Sequence, residues 1–294
     1  MNNGYVDLHC HSTASDGTLP PAEVVRLARD GGLAGIALTD HDTVGGIAEA
    51  AAEAQRLGLA FLTGIEISCE YPHPGTMHIL GYGVDPNSAT LRDLTTRLLE
   101  GRDNRNPKII NRLNELGVFI TMEEVEQEAK AAPDSKKPIG RPHVAAVLLR
   151  KGYVSSIKQA FDKYLAPGGL AYFDKERLTM RQAMEMIRES GGMPVLAHPL
   201  QLRTQSDAEL ERVIKDLKDL GLVGVETIHS DHDAALVEKY TRLADRFGLL
   251  KTGGSDFHGS NKKDIRLGVA NGRRIPFSYM ESLLKRHQEL RRAG

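Results

Sequence analysis

The stretch YVDLHCHSTASDGTLPPAEVVRLARDGGLAGIALTDHD, residues 5–42, carries the pattern that decides the fold. Residues 5–11 form a short apolar-polar strand, and residues 12–18 a polar loop. Pro20 and Pro21 then open a helix with Val24, Val25, Leu27 and Ala28 inward, which Gly31 and Gly32 end. A second strand, 35–39, runs directly into Asp40-His41-Asp42. Working outward, an Ala-rich helix reaches about residue 57, and strands follow at 60–69 and 77–82. Strand-helix alternation of this kind is the pattern of a parallel sheet or barrel.

The rhythm changes near residue 93. Residues 94–116, 122–131, 141–151 and 155–165 read as successive helices without an intervening strand, so a helical insertion is expected here. Five basic residues and no acidic one lie between 136 and 151: Lys136, Lys137, Arg141, Arg150 and Lys151. They are either a solvated helix surface or a face for anions. Alternation resumes after Tyr172, with helices at 179–190, 206–220 and 231–247 and strands at 193–197, 223–229 and 249–253. A last helix is expected from 276 to about 290.

Composition narrows the function. Of 294 residues 40% are hydrophobic and 26% charged, which supports a substantial core and excludes wholesale disorder. The formal charge of −1 provides no general field for gathering polyanions, and the absence of Trp disfavours base-stacking platforms. No apolar run approaches the ~18 residues of a membrane span, and the N-terminus lacks the layout of a secretory signal. Two cysteines, Cys10 and Cys69, are too few for a disulfide framework, so a reduced, cytoplasmic setting is expected.

The 11 histidines are distributed unusually. His9, His11, His41, Glu66, His78, His198, Asp256 and His258 recur at strand ends, where barrels and open α/β folds place their chemistry. Residues two apart on a strand share a face, so His9 and His11, and likewise Asp256 and His258, can each aim at one point. One such histidine is usually structural; repetition at successive strand ends points to a metal cluster instead. Imidazole and carboxylate donors without thiolate suit Zn, Mn or Fe(II). Neighbouring cations repel, and Glu66, with two oxygens at the end of a central strand, is the natural bridge. Cys10 and Cys69 alternate away from the ligand face and read as packed thiols. His73, His232 and His287 lie outside strand ends and read as surface or capping residues.

Seven segments, in order, resemble the PHP (polymerase and histidinol phosphatase) family. They are Asp7-Leu8-His9-Cys10-His11-Ser12, Ser15-Asp16-Gly17, Thr39-Asp40-His41-Asp42, Gly64-Ile65-Glu66, His78-Ile79-Leu80-Gly81-Tyr82, Ala197-His198-Pro199 and Gly253-Gly254-Ser255-Asp256-Phe257-His258-Gly259. The resemblance implies an α/β fold: a distorted seven-stranded β/α barrel formed by residues 1–92 and 172–294, with a small all-helical insertion, 93–171, as substrate cap. It implies three divalent ions (Mn, Zn or Fe(II)). His9, His11, Glu66 and Asp256 would hold the first, Asp16, His41 and His258 the second, and Glu66, His78 and His198 the third. Some relatives carry histidine where Asp16 stands.

The insertion, with Gly140-Arg141-Pro142-His143, further resembles the subgroup that hydrolyses nucleoside 3′,5′-bisphosphates, whose relatives also trim short RNA from its 5′ end. Arg141 and His143 are then the expected phosphate contacts, with a surface salt bridge the plainer role for Arg141. After His198-Pro199 the chain departs from the subgroup: Leu200-Gln201-Leu202 stands where Gly-Arg-Tyr is expected, leaving Arg203 or Arg177 to substitute. Glu226-Thr227-Ile228-His229-Ser230-Asp231-His232 fits the subgroup. His229 ends a strand, where it can contact phosphate, protonate a leaving oxygen, or serve as an ordinary buried histidine; Asp256 is the other expected catalytic group.

The resemblance thus implies a phosphatase acting on a small phosphorylated nucleotide, with short RNA as another substrate and no membrane or obligate protein partner. A 5′→3′ exoribonuclease and a histidinol phosphate phosphatase are the enzymatic alternatives. A metal-stabilised binding module would require ligand losses that this sequence does not have.

Overall fold

The computed structural model describes residues 4–72, 74–131, 139–166, 168–173 and 177–293. His73, Lys136 and Lys137 lie outside the described residues. Two compact units divide the chain, Met1–Leu94 with Arg177–Gly294, and Thr95–Glu176.

The first unit opens with β1 (Tyr5–Asp7), α1 (Pro21–Asp30), β2 (Gly35–Leu38), α2 (Ile47–Leu57), β3 (Ala60–Cys69) and β4 (Met77–Tyr82). Pro21 begins α1 because proline's missing N–H is no loss in a first turn. The helix buries Val24, Val25 and Ala28, but Leu27 is 40% exposed and does not join them as expected. The buried stripe runs 24, 25, 28, and Leu27 falls on its flank. Along β2, Ile36 and Leu38 pack with those residues and with Ala50 and Ala54 of α2, whereas Ala37 joins Val6, Leu8, Leu62, Leu80 and Val195. The strand period of two thus divides the apolar residues between two clusters.

The helical unit contains most of α3 (Ala89–Glu115), then α4 (Met122–Ala131), α5 (Arg141–Arg150) and α6 (Ile157–Ala160), which runs into a π-helical turn at Phe161–Leu165. It has its own core, including Ile109, Leu113, Val125, Val144, Leu148 and Leu165. Leu148 is fully buried, and one such side chain contributes about 2 kcal/mol.

The first unit resumes with α7 (Met180–Glu189), β5 (Met193–Leu196), α8 (Asp207–Asp219), β6 (Gly224–Ile228), α9 (Ala234–Phe247), β7 (Leu250–Gly253), β8 (Ile275–Pro276) and α10 (Phe277–Ala293). Among the described residues the sheet has eight strands, one more than the seven expected, in the order β7-β6-β5-β4-β3-β2-β1-β8. Two of these strands depart from simple parallel alternation. β4 runs antiparallel to both β3 and β5, because only a short loop joins it to β3 and a parallel pair would need a long crossover. The two-residue β8, too short for a pattern, pairs antiparallel with Tyr5 and Val6.

The same edge of β1 closes the barrel further along. Leu8 N–H donates to Gly253 O at 3.2 Å, Asp256 N–H to His9 O at 2.8 Å and His11 N–H to Phe257 O at 2.9 Å. Gly254 permits this crossing: a Cβ there would stand 2.3 Å from His9 Cβ and 2.4 Å from its backbone nitrogen. Closure brings the first and last of the expected ligands side by side.

Candidate metal centre

Glu66 lies near the C-terminal end of β3, almost wholly buried, and its two oxygens face different histidines. Oε1 is 2.8 Å from His78 Nδ1 and 2.9 Å from His198 Nε2. Oε2 is 3.3 Å from Nε2 of both His9 and His11, and 3.0 Å from His41 Nδ1. His9 and His11 also face Asp256 Oδ1, at 3.6 and 3.3 Å. On the far side of His11, a second group of donors within 4.8 Å of one another comprises His11, Asp16, His41 and His258. There His258 Nε2 is 3.2 Å from Asp16 Oδ1. The expected ligands therefore converge from β3, β4 and the loops after β1, β2, β5 and β7.

Backbone strain helps to aim two of them. Asp256 has φ 57° and His198 φ 22°, values L-residues seldom adopt unless the surroundings hold them. Asp256 and His258 are therefore not strand neighbours on one face, as alternation suggested. β7 ends at Gly253, and the left-handed turn at Asp256 brings both side chains to the centre.

Several buried polar atoms here make no well-formed hydrogen bond among the described residues: His9 Nε2, both nitrogens of His11, His41 Nδ1, Glu66 Oε2 and His198 Nδ1. Buried polar atoms are normally satisfied, and so many convergent lone pairs fit divalent cations. The electrostatics agree. Burial penalises the Glu66 charge, yet His41, His9 and His78 outweigh it and hold the carboxyl well below its ordinary range. Burial likewise opposes ionisation of Asp16, but the His258 hydrogen bond and the fields of His41 and His11 keep it ionised. Desolvation drives His41 down to about 3, against the pull of Glu66 and Asp16. His11 is pushed the other way: desolvation lowers it, but the Asp256 and Glu66 carboxylates that face its Nε2 raise it to about 9. Carboxylates thus draw protons onto the lone pairs a cation would use, so cation binding displaces protons.

A buried carboxylate behind His9 completes the centre. Glu226 on β6 places Oε1 3.0 Å from His9 Nδ1 and accepts the His198 backbone N–H on Oε2 at 2.8 Å. Carboxylate support of a ligating imidazole fixes its tautomer and orientation. Sequence reasoning missed this role, although a Glu inside a strand as short as Gly224–Ile228 was the available signal. Asp7 acts as a strut: it accepts N–H groups from His9, Ser255 and Gly268 and the Ser255 hydroxyl.

His229 is buried beside the centre, with Nε2 3.4 Å from Asp256 Oδ2 and its ring 5.2 Å from that of His198. Asp231 N–H donates to His229 Nδ1 at 3.1 Å, so the neutral ring carries its hydrogen on Nε2. His232, expected at the surface or as a cap, is instead fully buried. Its Nδ1 meets Thr227 O at 3.1 Å, its ring lies 4.7 Å from that of Tyr240, and its carbonyl accepts from Asn271. His287 bonds Gly191 O from α10, a capping role. Cys10 and Cys69 are buried thiols, Cys10 directed to Ala37 O.

The expected substrate contacts are placed otherwise. In the helical unit, Arg141 Nη1 donates to Leu165 O at 2.9 Å and its guanidinium lies 5.3 Å from the Tyr172 ring centre. His143 Nδ1 accepts the Gly140 N–H at 3.1 Å, closing the first turn of α5. Arg150 and Lys151 pair with Glu128 and Glu124 of α4, so their charge is locally compensated. In the first unit, Arg177 is half-buried, while Arg203 is exposed in a left-handed turn.

Residues 7–221 match the PHP domain. The chain is 36% identical over 262 residues to a 3′,5′-nucleoside bisphosphate phosphatase of Chromobacterium violaceum, covering 88% of this chain and 90% of that protein. It is 35% identical over 252 residues to a 5′-3′ exoribonuclease of Haemophilus influenzae, covering 86% and 89%. A solved structure from Bifidobacterium adolescentis, described as a metal-dependent phosphoesterase, aligns with TM-score 0.77 at 29% identity over 96% of each chain. No helix among the described residues is long and apolar enough to cross a membrane.

Proposed function

The chain belongs to the PHP domain family, and from that premise we propose that it is a metal-dependent phosphoesterase of nucleotides. Its preferred reaction is removal of the 3′-phosphate from nucleoside 3′,5′-bisphosphates, giving the nucleoside 5′-monophosphate and phosphate. The observation that carries this reading is the division of Glu66, one oxygen toward His78 and His198 and the other toward His9, His11 and His41. A carboxylate shared in this way is suited to bridging cations.

Three divalent ions, Mn, Zn or Fe(II), would be held by His9, His11, Glu66 and Asp256, by Asp16, His41 and His258, and by Glu66, His78 and His198. Such ions supply Lewis acidity for phosphate oxygens and a source of nucleophilic water near neutral pH. Around them the protein's work is positional. Glu226 and Asp7 hold His9 and the Ser255-Asp256 backbone in place. His229, with its hydrogen on Nε2, is the group we assign to hydrogen-bond the phosphate or, as the doubly protonated imidazolium, to protonate the leaving 3′-oxygen. Asp256 would serve as ligand, with its Oδ2 3.4 Å from His229 Nε2. Arg141 and His143 of the helical unit, and Arg177 or Arg203, are assigned to the second phosphate by resemblance, with Tyr172 as a ring against which Arg141 rests. The two buried thiols suit a reducing, cytoplasmic setting.

The test compares phosphate release from adenosine 3′,5′-bisphosphate, mononucleotide release from short 5′-phosphorylated RNA, and phosphate release from histidinol phosphate, each with Mn and with Zn. The reading predicts the bisphosphate as the best substrate. Faster RNA trimming would favour the exoribonuclease reading, which the similarity to the H. influenzae enzyme supports.

A further inference from the structure

Lys262 ends the short 3₁₀ turn Gly259–Lys262 that follows His258. Its ammonium lies 2.5 Å from Asp256 Oδ2, and its side chain is 41% exposed. Among the ion pairs of the described residues, this one brings a lysine or arginine onto a carboxylate of the centre. The turn that carries it is tied down on both sides. Ser260 N–H donates to Thr18 Oγ1 at 2.9 Å, and Asn261 Nδ2 donates to Asp16 O at 2.7 Å. Lys262 is thus anchored to the loop bearing Asp16 as well as to Asp256.

Asp256 divides its two oxygens. Oδ1 faces Nε2 of His9 and His11, the direction of the cation site, while Oδ2 is shared by Lys262 and His229 Nε2. A cation held through Oδ1 therefore leaves the contact with Lys262 intact. An ammonium has three N–H donors, of which Oδ2 takes one, and the exposed part of the side chain leaves the others for a ligand. A phosphate monoester near neutral pH presents a dianion beside the same carboxylate, where a fixed positive charge is needed.

We infer that Lys262 is a substrate-binding residue that donates to the non-bridging oxygens of the phosphate undergoing hydrolysis, working beside His229 from the shared Asp256 carboxylate. This inference rests on the phosphoesterase reading and adds to it a phosphate contact supplied by the barrel itself. It also gives a reason for the tethering of the 259–262 turn, since a lysine that only offset surface charge would need none.

The test uses the full-length, Mn-loaded protein, its Lys262→Met and Lys262→Arg variants, and inorganic phosphate as the probe, with affinity measured by calorimetry and metal content by elemental analysis. Loss of a charge-assisted hydrogen bond predicts phosphate binding weaker on the order of ten- to a hundredfold in Lys262→Met. Metal content should be unchanged, KM should rise more than kcat falls, and Lys262→Arg should restore part of the affinity. Phosphate affinity within twofold of wild type in Lys262→Met would overturn the inference. So would loss of metal from that variant, which would make Lys262 a positioning residue for Asp256. Turnover separates the two claims: a wild-type protein that binds phosphate through Lys262 yet hydrolyses no ester contradicts the phosphoesterase reading alone.

Discussion

Glu226 Oε1 lies 3.0 Å from His9 Nδ1, and both side chains are wholly buried. The pairing turns His9 Nε2 toward Glu66 and Asp256, and the field of His9, against the burial penalty, helps hold the Glu226 carboxyl down at about 2. On the metal-centre reading, Glu226 acts on the cations through His9. Glu226→Gln keeps the shape but leaves one oxygen to serve both His9 and the His198 backbone N–H. Affinity for Mn should fall about 10–100-fold, as for other carboxylates that support ligating histidines. Activity should return at saturating Mn. A titration matching wild type would remove Glu226 from the centre.

Gly254 marks where β1 and the segment after β7 cross. In Gly254→Ala the added methyl meets His9 Cβ at 2.3 Å, and the backbone around it cannot yield as a flexible side chain would. Stability should fall by about 3 kcal/mol, the upper part of the range for overpacking. Metal affinity should fall with it, because His9 must move. Urea unfolding of the metal-free and loaded proteins measures both; an alanine variant as stable as wild type would mean that the barrel does not close along this line.

Glu53 on α2 joins the two helices after β1 and β2. Its carboxylate accepts from Arg56 and from Arg26 of α1. The Arg56 hydrogen bonds, opposed by partial burial and reinforced by Arg26, lower its carboxyl from 4.5 to about 2. Because the folded value is the lower one, the stabilisation is complete above the unfolded value and is lost as the pH falls toward the folded one. The stability gap between wild type and Glu53→Gln, measured on chelator-treated protein, should be flat above about pH 5 and shrink on further acidification. A gap that widens on acidification would contradict the assignment.

These cases also mark what was legible in the sequence. β3 and β4 could be read closely, because apolar-rich runs bounded by turn residues leave little choice. The direction of β4 could not, since an apolar pattern reads the same in parallel and antiparallel pairing. His9, His11, His41, Glu66, His78 and His198 stood out because polar groups at strand ends have no business in an apolar core. Glu226 did not: it lies in the buried strand Gly224–Ile228, and its partner His9 is 217 residues away. His232 was misread for a related reason, since only the fold returns its loop beneath His229 and Tyr240. Lys262, in a polar turn, has its meaning only once Asp256 adopts a left-handed backbone.

The most direct trial of the central claim is metal removal and replacement. Protein stripped by a chelator and verified metal-free by elemental analysis is assayed for phosphate release from adenosine 3′,5′-bisphosphate, before and after Mn is restored, alongside Glu66→Gln treated identically. The account predicts no turnover in the stripped protein, recovery with Mn at more than one ion per chain, and at most a trace of activity with reduced metal content in Glu66→Gln. Undiminished hydrolysis by verified metal-free protein, or full activity and full metal content in Glu66→Gln, would contradict it.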